Sequence, residues 1–353
     1  MRRLSCVAVV LVSAFVLGCG SSDKPGSPGS GGAGGSGGTG GGVIPMSCTD
    51  PFAKLEAPYS ANNAGYDLVV ADAAGLVVSG IVDGRQLADP LSSRDYPDLI
   101  FTIDMQGTVA TIWSGDTMPL ALAVDASTVY FHSFGLSGGG ILSVPRTGGT
   151  ATVLVERDVH AGPVLVGGKL YYAGETASYD EAVFELDPAT GTSTVLSDRG
   201  DMVVDAFTAD DQAVYWTESD GTFSGADYPL YKLNLADRSV VQLGALSPDA
   251  GTDHLMLAGD TLFVGGIVDI SYRVSRVVPG GAPVVVVSET TGAIAFTQDT
   301  AYYGSRAGLV KTPLDFSVTT AVPGTSGKEL SAVAVGPQYV WYAEFSCIYR
   351  MAR

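Results

Sequence analysis

The chain has 353 residues, a formal net charge of −18 and a sequence pI near 4.3. A surface this acidic repels the phosphates of nucleic acids and of anionic lipids, so neither is expected as an electrostatic partner. Charged residues make up only 16% of the chain and glycine fills 46 positions, which favours strands and turns over helices.

The first nineteen residues predict export and lipid attachment. Two arginines precede a short apolar stretch, residues 7–17, which is too short to cross a bilayer comfortably and is typical of a secretory signal peptide. The stretch ends in the sequence VLGC, which resembles the lipobox of bacterial lipoproteins. This resemblance implies that residues 1–18 are removed and that Cys19 carries the lipid. An ordinary signal peptide with an incidental cysteine is the alternative.

The residues after Cys19 bear on the membrane and on the tether. Position 20 is glycine, and in enterobacterial lipoproteins an aspartate there favours retention in the inner membrane. The resemblance therefore implies a Gram-negative-type envelope, with the outer membrane favoured over the inner one. Residues 19–45 are rich in glycine and serine and predict a flexible tether with an r.m.s. span of roughly 25 Å. Residues 46–353 remain for the folded domain.

Residues 65–353 carry a repeat of about 40 to 50 residues, a period that indicates propeller blades. Each unit holds a short apolar strand, a tight turn and an aromatic strand, and most continue into a strand–turn–strand hairpin. The aromatic strands start at seven positions: Leu76, Val129, Leu170, Val214, Leu262, Ala301 and Val340.

The repeat predicts an all-β propeller of four-stranded antiparallel blades. Seven blades are preferred, and six is the alternative because the Leu76 unit has the weakest aromatic strand. The seventh unit stops at Arg353 after three strands, and a bare sheet edge there would invite aggregation. We therefore expect an N-terminal strand around Phe52-Ala53-Lys54-Leu55 to close the ring. Cys48 and Cys347 are then predicted to form a disulfide across this seam, with two free thiols as the alternative.

One unit resembles the YWTD repeats of β-propellers in lipoprotein receptors. Tyr215-Trp216-Thr217-Glu218 carries the likeness, with Glu218 in place of the usual aspartate. A second unit, residues 140–149, fits the pattern of propeller lipoproteins of bacterial envelopes. Together these resemblances imply a bacterial envelope β-propeller lipoprotein, and they leave its partner open.

Two long interruptions of the repeat are the candidate binding loops, because insertions in repeat proteins often lie on the binding face. The first, residues 85–98, contains a polar and aromatic mix suited to recognition: Arg85, Arg94, Asp95 and Tyr96. The second runs from Asp220 to Asp227.

The sequence contains no complete catalytic or metal-binding motif, and we expect no cofactor and no metal. His132, His160 and His254 are candidates for acid–base chemistry, because strand starts in propellers approach the central channel. Ser137 lies in a G-x-S-x-G sequence that joins two strands, unlike the strand-to-helix turn of a nucleophile elbow. Recurring aspartates are assigned to turn capping rather than to cation binding: Asp125, Asp210, Asp211, Asp260 and Asp299.

The sequence thus favours a monomeric, lipid-anchored binding or scaffold module for an envelope protein or a glycan, without enzymatic activity. The alternative is a glycan- or ester-directed hydrolase or lyase with its site at the mouth of the propeller channel.

Overall fold

The computed structural model describes most of the chain after residue 53. The described residues all belong to the unit Val43–Arg353. They are 54–56, 65–72, 74–81, 98–105, 108–115, 117–134, 139–220, 227–247, 254–268, 271–291, 293–327, 330–344 and 347–353.

These residues form 28 strands in seven four-stranded antiparallel sheets, and they contain no helix. Blade 1 contains β2 (Gly65–Asp72), β3 (Gly75–Ile81), β4 (Asp98–Asp104) and β5 (Val109–Gly115). Blade 2 contains β6 (Met118–Val124), β7 (Thr128–Phe134), β8 (Gly140–Pro145) and β9 (Thr152–Val155). Blade 3 contains β10 (Val159–Val166), β11 (Lys169–Glu175), β12 (Glu181–Asp187) and β13 (Thr192–Gly200).

The remaining blades repeat the pattern. Blade 4 contains β14 (Val203–Ala209), β15 (Ala213–Ser219), β16 (Tyr228–Asn234) and β17 (Val240–Leu246). Blade 5 contains β18 (His254–Ala258), β19 (Thr261–Val268), β20 (Ser271–Arg276) and β21 (Val284–Thr290). Blade 6 contains β22 (Ile294–Phe296), β23 (Thr300–Ser305), β24 (Gly308–Pro313) and β25 (Thr320–Ala321). Blade 7 contains β26 (Ala332–Val335), β27 (Tyr339–Glu344), β28 (Cys347–Ala352) and β1 (Lys54–Glu56).

Blade 7 is built from both ends of the domain, as the sequence predicts. The strand β1 pairs antiparallel with β28 and supplies the outer edge that the C-terminal repeat lacks. Its register places Glu56 opposite Cys347. Phe52, Ala53 and Cys48 lie outside the described residues, so the disulfide stays a prediction.

The first strand of each blade lines the ring. Neighbouring first strands contact each other all the way around, from β2 through β6, β10, β14, β18 and β22 to β26 and back to β2. Seven blades therefore close the propeller, and the six-blade alternative is wrong. Within the described residues no helix has the length and apolarity needed to cross a bilayer.

An apolar cluster fills each interface between neighbouring blades. Side chains alternate between the two faces of a strand, so each aromatic second strand packs against both neighbours. Trp216 is fully buried between blades 3 and 4, and Trp341 is buried between blades 7 and 1. In the YWTD-like unit, the aromatic strand therefore packs between neighbouring sheets.

The propeller has two unlike ends. At the turn end, where each first strand passes to the second, the links have only two or three residues in every blade. Asp125 caps such a turn: its Oδ1 accepts from the backbone N–H groups of Ser127 and Thr128, each at 2.7 Å, and its Oδ2 accepts from the Tyr130 hydroxyl at 2.8 Å. Asp210 caps the turn of blade 4 in the same way. In these two blades the aspartates serve the turns, as predicted.

Candidate binding site at the loop end

The opposite end of the propeller, here called the loop end, carries the links between second and third strands. These links are long in four consecutive blades and short in the other three. In blades 1 to 4 they are residues 82–97, 135–139, 176–180 and 220–227, and in blades 5 to 7 they are residues 269–270, 306–307 and 345–346. The variation needed for recognition is therefore concentrated on one arc of one end.

Both predicted binding loops are attached to this arc. Arg85, Arg94, Asp95 and Tyr96 belong to the link of blade 1 and lie outside the described residues. Asp220 and Asp227 bound the link of blade 4, and both are exposed. The flanking strands bring the two loops to the same end, on either side of blades 2 and 3.

The link of blade 3 holds an exposed aromatic side chain that the sequence did not single out. Tyr179 is 83% exposed and has a φ of 69°. The loop around it is closed by hydrogen bonds: Thr176 N–H donates to the Asp180 carbonyl at 2.8 Å, and Tyr179 N–H donates to the Thr176 carbonyl at 3.1 Å. The Ser178 hydroxyl also donates to Asp180 at 2.6 Å. A left-handed backbone is unfavourable for a bulky residue, so this loop holds the ring in solvent at a conformational cost.

A buried carboxylate–imidazole pair lies directly beneath that loop. His160, on the innermost strand β10, contacts Glu181 at the start of β12 through a 2.6 Å hydrogen bond between Nδ1 and Oε2. The Glu181 side chain is only 5% exposed and that of His160 is 21% exposed. The bond to Glu181 raises the pKa of His160, burial opposes that shift, and the carboxylates of Glu181, Glu175 and Asp158 add to it. The His160 imidazole therefore favours its protonated, charged form.

A second histidine from the neighbouring blade faces this pair. His132, near the end of β7, is 3% exposed. Burial, followed by the charge of His160, lowers the pKa of His132 from 6.5 to about 4, with the charge of Asp158 opposing the shift. Its Nε2 is buried without a hydrogen-bond partner. Gly139 passes beside that nitrogen, and its backbone N–H donates to Asp158 Oδ1 at 3.2 Å. We call this cluster of His132, Asp158, His160, Glu175 and Glu181 the niche.

Negative charge is in excess in the niche. Glu175 ends β11 and stands opposite Glu181 in the strand register. Burial raises the pKa of Glu175, and the charges of Asp158 and Glu181 raise it further against the opposing effect of His160. The five groups therefore include three carboxylates and only one imidazole, His160, whose surroundings favour the protonated form.

A buried ion pair joins blades 3 and 4. Arg199, at the end of β13, makes a two-pronged contact to Glu218, whose side chain is 1% exposed. Glu218 also accepts from the Trp216 indole N–H at 2.6 Å, and the guanidinium lies 4.7 Å from the ring centre of Tyr231. Glu218, the residue that departs from the YWTD pattern, is thus paired both with Arg199 of blade 3 and with Trp216 of its own blade.

The other predicted residues lie elsewhere. His254 is exposed at the start of β18 in blade 5, and its ring centre lies 6.2 Å from that of Tyr272. Ser137 and Cys19 lie outside the described residues. Within the part of the chain that is described, no group of three or more His, Cys, Asp or Glu side chains has a geometry that could hold a metal ion. His132 and His160 therefore lie near each other in blades 2 and 3, whereas His254 lies in blade 5.

His132 should make the protein sensitive to acid. Its pKa falls from 6.5 to about 4 on folding, so the unfolded chain takes up a proton first as the pH drops. The stability contributed by the neutral ring is complete above pH 6.5 and is lost between pH 6.5 and 4. From pH 7.5 to 4.5, wild type should lose roughly 2–3 kcal/mol more unfolding free energy than His132→Gln. Urea unfolding at a series of pH values measures this, and parallel curves for the two proteins would contradict it.

Comparison with known proteins supports the fold alone. No family model and no curated protein matches the chain. The acylaminoacyl peptidase of Pyrococcus horikoshii matches with a TM-score of 0.55 and 10% identity, over 80% of this chain and 49% of that one. TolB from Acinetobacter baumannii matches with a TM-score of 0.48 and 16% identity, over 74% of this chain and 63% of that one. A chain of a nidogen–laminin complex matches with a TM-score of 0.43 and 14% identity, over 73% of this chain and 92% of that one.

The match to the peptidase, at a TM-score of 0.55, agrees with the propeller architecture. The match spans less than two thirds of the TolB and peptidase chains. At 10% identity the likeness to the peptidase supports the architecture alone and carries no activity or partner across. The resemblance to YWTD repeats and to envelope lipoproteins accordingly stays a prediction.

Proposed function

We propose that this chain is a lipid-anchored β-propeller of a bacterial envelope that acts as a non-enzymatic binding or scaffold module. Its binding face is the loop end of blades 1 to 4. The short, capped links of the turn end and the long links of this arc support the assignment, because loops on a rigid scaffold are where binding residues concentrate.

The single observation that carries the proposal is Tyr179. An exposed aromatic ring on a hydrogen-bonded loop presents apolar area at low entropic cost on binding, and tyrosine is enriched among the residues that dominate interface energies. A side chain that is 83% exposed contributes little to folding. A left-handed backbone at this position is accounted for if the ring serves a partner.

The partner is an envelope protein or a glycan, and the chain is a monomer held by its lipid. The net charge of −18 argues against nucleic acid, and it makes a covalent or apolar membrane attachment more favourable than an electrostatic one. The anchor is tested by Cys19→Ala, which should leave the precursor uncleaved and unlabelled by radioactive palmitate. Normal labelling of that variant would refute the anchor.

Photo-crosslinking in intact cells tests the binding face. We expect benzoyl-phenylalanine at position 179 to give a discrete crosslinked species, whereas the same residue at position 190 gives none. Thr190 is the matched control, because it is exposed in the same blade at the turn end. Equal crosslinking from both positions, or none from 179 and from further probes at 220 and 227, would overturn the assignment.

A second function is favoured by one specific observation. The Glu181–His160 pair is the arrangement that orients an imidazole for general acid–base catalysis, and its histidine lies on the innermost strand, β10. A hydrolase or lyase acting on glycans or esters would use it. Turnover of a broad glycan and ester panel, abolished by His160→Asn, would establish the enzyme; inactivity across the panel would leave the binding module.

A further inference from the structure

We propose that a cavity on the outer rim, between blades 1 and 2, binds the ring of a neutral saccharide. The cavity has a volume of about 390 Å³. It is bounded by β5, the outer strand of blade 1, and by the link between β8 and β9 of blade 2. This inference concerns a second surface of the molecule and does not depend on the binding face proposed above.

An irregularity in β5 supplies the aromatic side of the cavity. Consecutive side chains of a regular strand point to opposite faces. The pairing of β5 with β4 skips Ile112, which is the extra residue of a β-bulge. Ile112 and Trp113 therefore both face blade 2, where they pack against one apolar cluster. Trp113 is only half-buried, so part of its side chain stays open to the cavity.

Two contacts hold the indole ring of Trp113. Its ring centre lies 4.9 Å from that of the fully buried Phe131, at an interplanar angle of 52°. The second contact is with Gly115, two residues further along β5. A methyl group added to Gly115 would lie 2.4 Å from Cζ2 and 2.9 Å from Cη2 of Trp113. The indole therefore fills the place of a side chain at Gly115, and its position is set by packing before a ligand arrives.

The link of blade 2 forms the opposite wall of the cavity. A methyl group added to Gly148 would lie 3.5 Å from the Cα of Ile112, so the link packs against β5 at this residue. At the next residue, Gly149, an added methyl group would meet no atom within 4 Å. The wall therefore contacts β5 at one residue and leaves open space at the following one.

Hydroxyl groups line the cavity beside the indole. Thr111, Ser114 and Thr150 all belong to its lining and are exposed. A hydroxyl both donates and accepts hydrogen bonds. Among the described residues that line the cavity, none is ionisable. The cavity therefore offers hydrogen bonds and an aromatic surface, without a charge to pair with an ion.

This combination selects a neutral pyranose ring. The face of such a ring carries C–H groups, which pack on an aromatic surface, and its edge carries hydroxyls. A purely apolar ligand would cover the hydroxyls of the cavity without replacing their hydrogen bonds to water. An anionic ligand would meet no cation in the lining and the repulsion of a chain with a net charge of −18. The volume lies near the lower end of the range for small-molecule sites, roughly 300–1,000 Å³, which suits a short saccharide.

Tryptophan fluorescence tests the inference. The chain has three tryptophans, and Trp216 and Trp341 are only 0% and 1% exposed. Quenching by acrylamide, which is uncharged, therefore reports mainly on Trp113. The probes are the methyl glycosides of glucose, galactose and N-acetylglucosamine, and the control is sorbitol, a polyol without a ring. At least one glycoside should protect the fluorescence, with half-maximal protection at a concentration on the order of 1 mM. Sorbitol should give no protection.

Matched glycine variants locate the effect, and both keep all three tryptophans for the measurement. Gly115→Ala displaces the indole ring and should weaken glycoside binding roughly tenfold. Gly244→Ala is the control, because Gly244 lies in β17, the outer strand of blade 4, and an added methyl group there would meet no atom within 4 Å. It should bind like wild type.

A surface variant keeps the inference testable if Gly115→Ala fails to fold. Thr150 is exposed in the link of blade 2, and Thr150→Val removes its hydroxyl while keeping its shape. The loss of one hydrogen bond should weaken glycoside binding about fivefold. Unchanged binding by this variant would contradict the role of the hydroxyls.

The outcomes are independent of those for the loop end. Equal protection by sorbitol, no protection by any glycoside, or equal affinities of Gly115→Ala and Gly244→Ala would overturn the saccharide site. Protection by a valine-rich peptide and by none of the glycosides would also overturn it, since the edge of β5 would then receive a strand. Tyr179→Ala should leave glycoside protection unchanged, whereas crosslinking from position 179 tests the loop end alone.

Discussion

Glu218→Ala should lower the free energy of unfolding by about 4 kcal/mol, since breaking a buried pair leaves an uncompensated charge. The substitution strands the Arg199 guanidinium, whose side chain is 19% exposed, and removes the acceptor of the Trp216 indole N–H. Both losses occur inside the interface between blades 3 and 4. Guanidinium chloride unfolding measures the change.

The matched control is the exposed pair between Arg238 and Glu185, at 3.2 Å. Glu185→Ala should cost at most about 1 kcal/mol, because solvent screens such pairs. Combining Glu218→Ala with Arg199→Met should restore part of the loss, since the stranded charge is then removed as well. Equal costs for the two glutamate variants would show that burial does not govern the Glu218 pair.

Gly75→Ala should cost roughly 4 kcal/mol, the sum of backbone strain and of a forced shift in a packed sheet. Gly75 begins the second strand of blade 1 with a φ of 140°. An added methyl group would lie 2.1 Å from the carbonyl oxygen of Ile103 on the neighbouring strand. Since that oxygen belongs to the backbone, the sheet itself must move.

Gly149→Ala separates the two contributions to this cost. Gly149 has nearly the same φ, 142°, and nothing lies within 4 Å of an added methyl group there. Gly149→Ala should therefore lower the free energy of unfolding only by the cost of backbone strain, roughly 1–2 kcal/mol. If the two variants unfold at the same denaturant concentration, the clash at Gly75 is relieved by movements that the structure does not reveal.

The fold could be predicted because each unit of the sequence repeat forms one blade. Turn residues and aromatic strands recur in register, so the blade number and the closing strand follow from counting. In blade 4 the sequence pattern predicts strands from Leu230 to Leu235 and from Val240 to Leu243, whereas β16 begins at Tyr228 and β17 continues to Leu246. Pairing with a neighbour lengthens a strand beyond its apolar residues.

The niche could not be predicted in the same way. Its members come from two blades and from links between strands, and their approach depends on how the blades pack rather than on spacing along the chain. Glu175 and Glu181 bracket the Tyr179 loop at the edges of apolar strands, which is the signal that was available. Charged residues are common at strand ends, so these positions indicate a site only once the structure shows that Glu181 is buried.

The pairing of β1 with β28 also dictates when the molecule can become complete. The two strands stand at opposite ends of the domain, so their meeting closes a loop of nearly the whole polypeptide and incurs the largest entropic cost of any pairing in the ring. Six blades can assemble from neighbouring segments as they emerge, but the seventh must wait for the last residues. A chain interrupted anywhere before residue 347 would leave β1 without its partner. Ring closure therefore acts as a length check on the newly synthesised polypeptide.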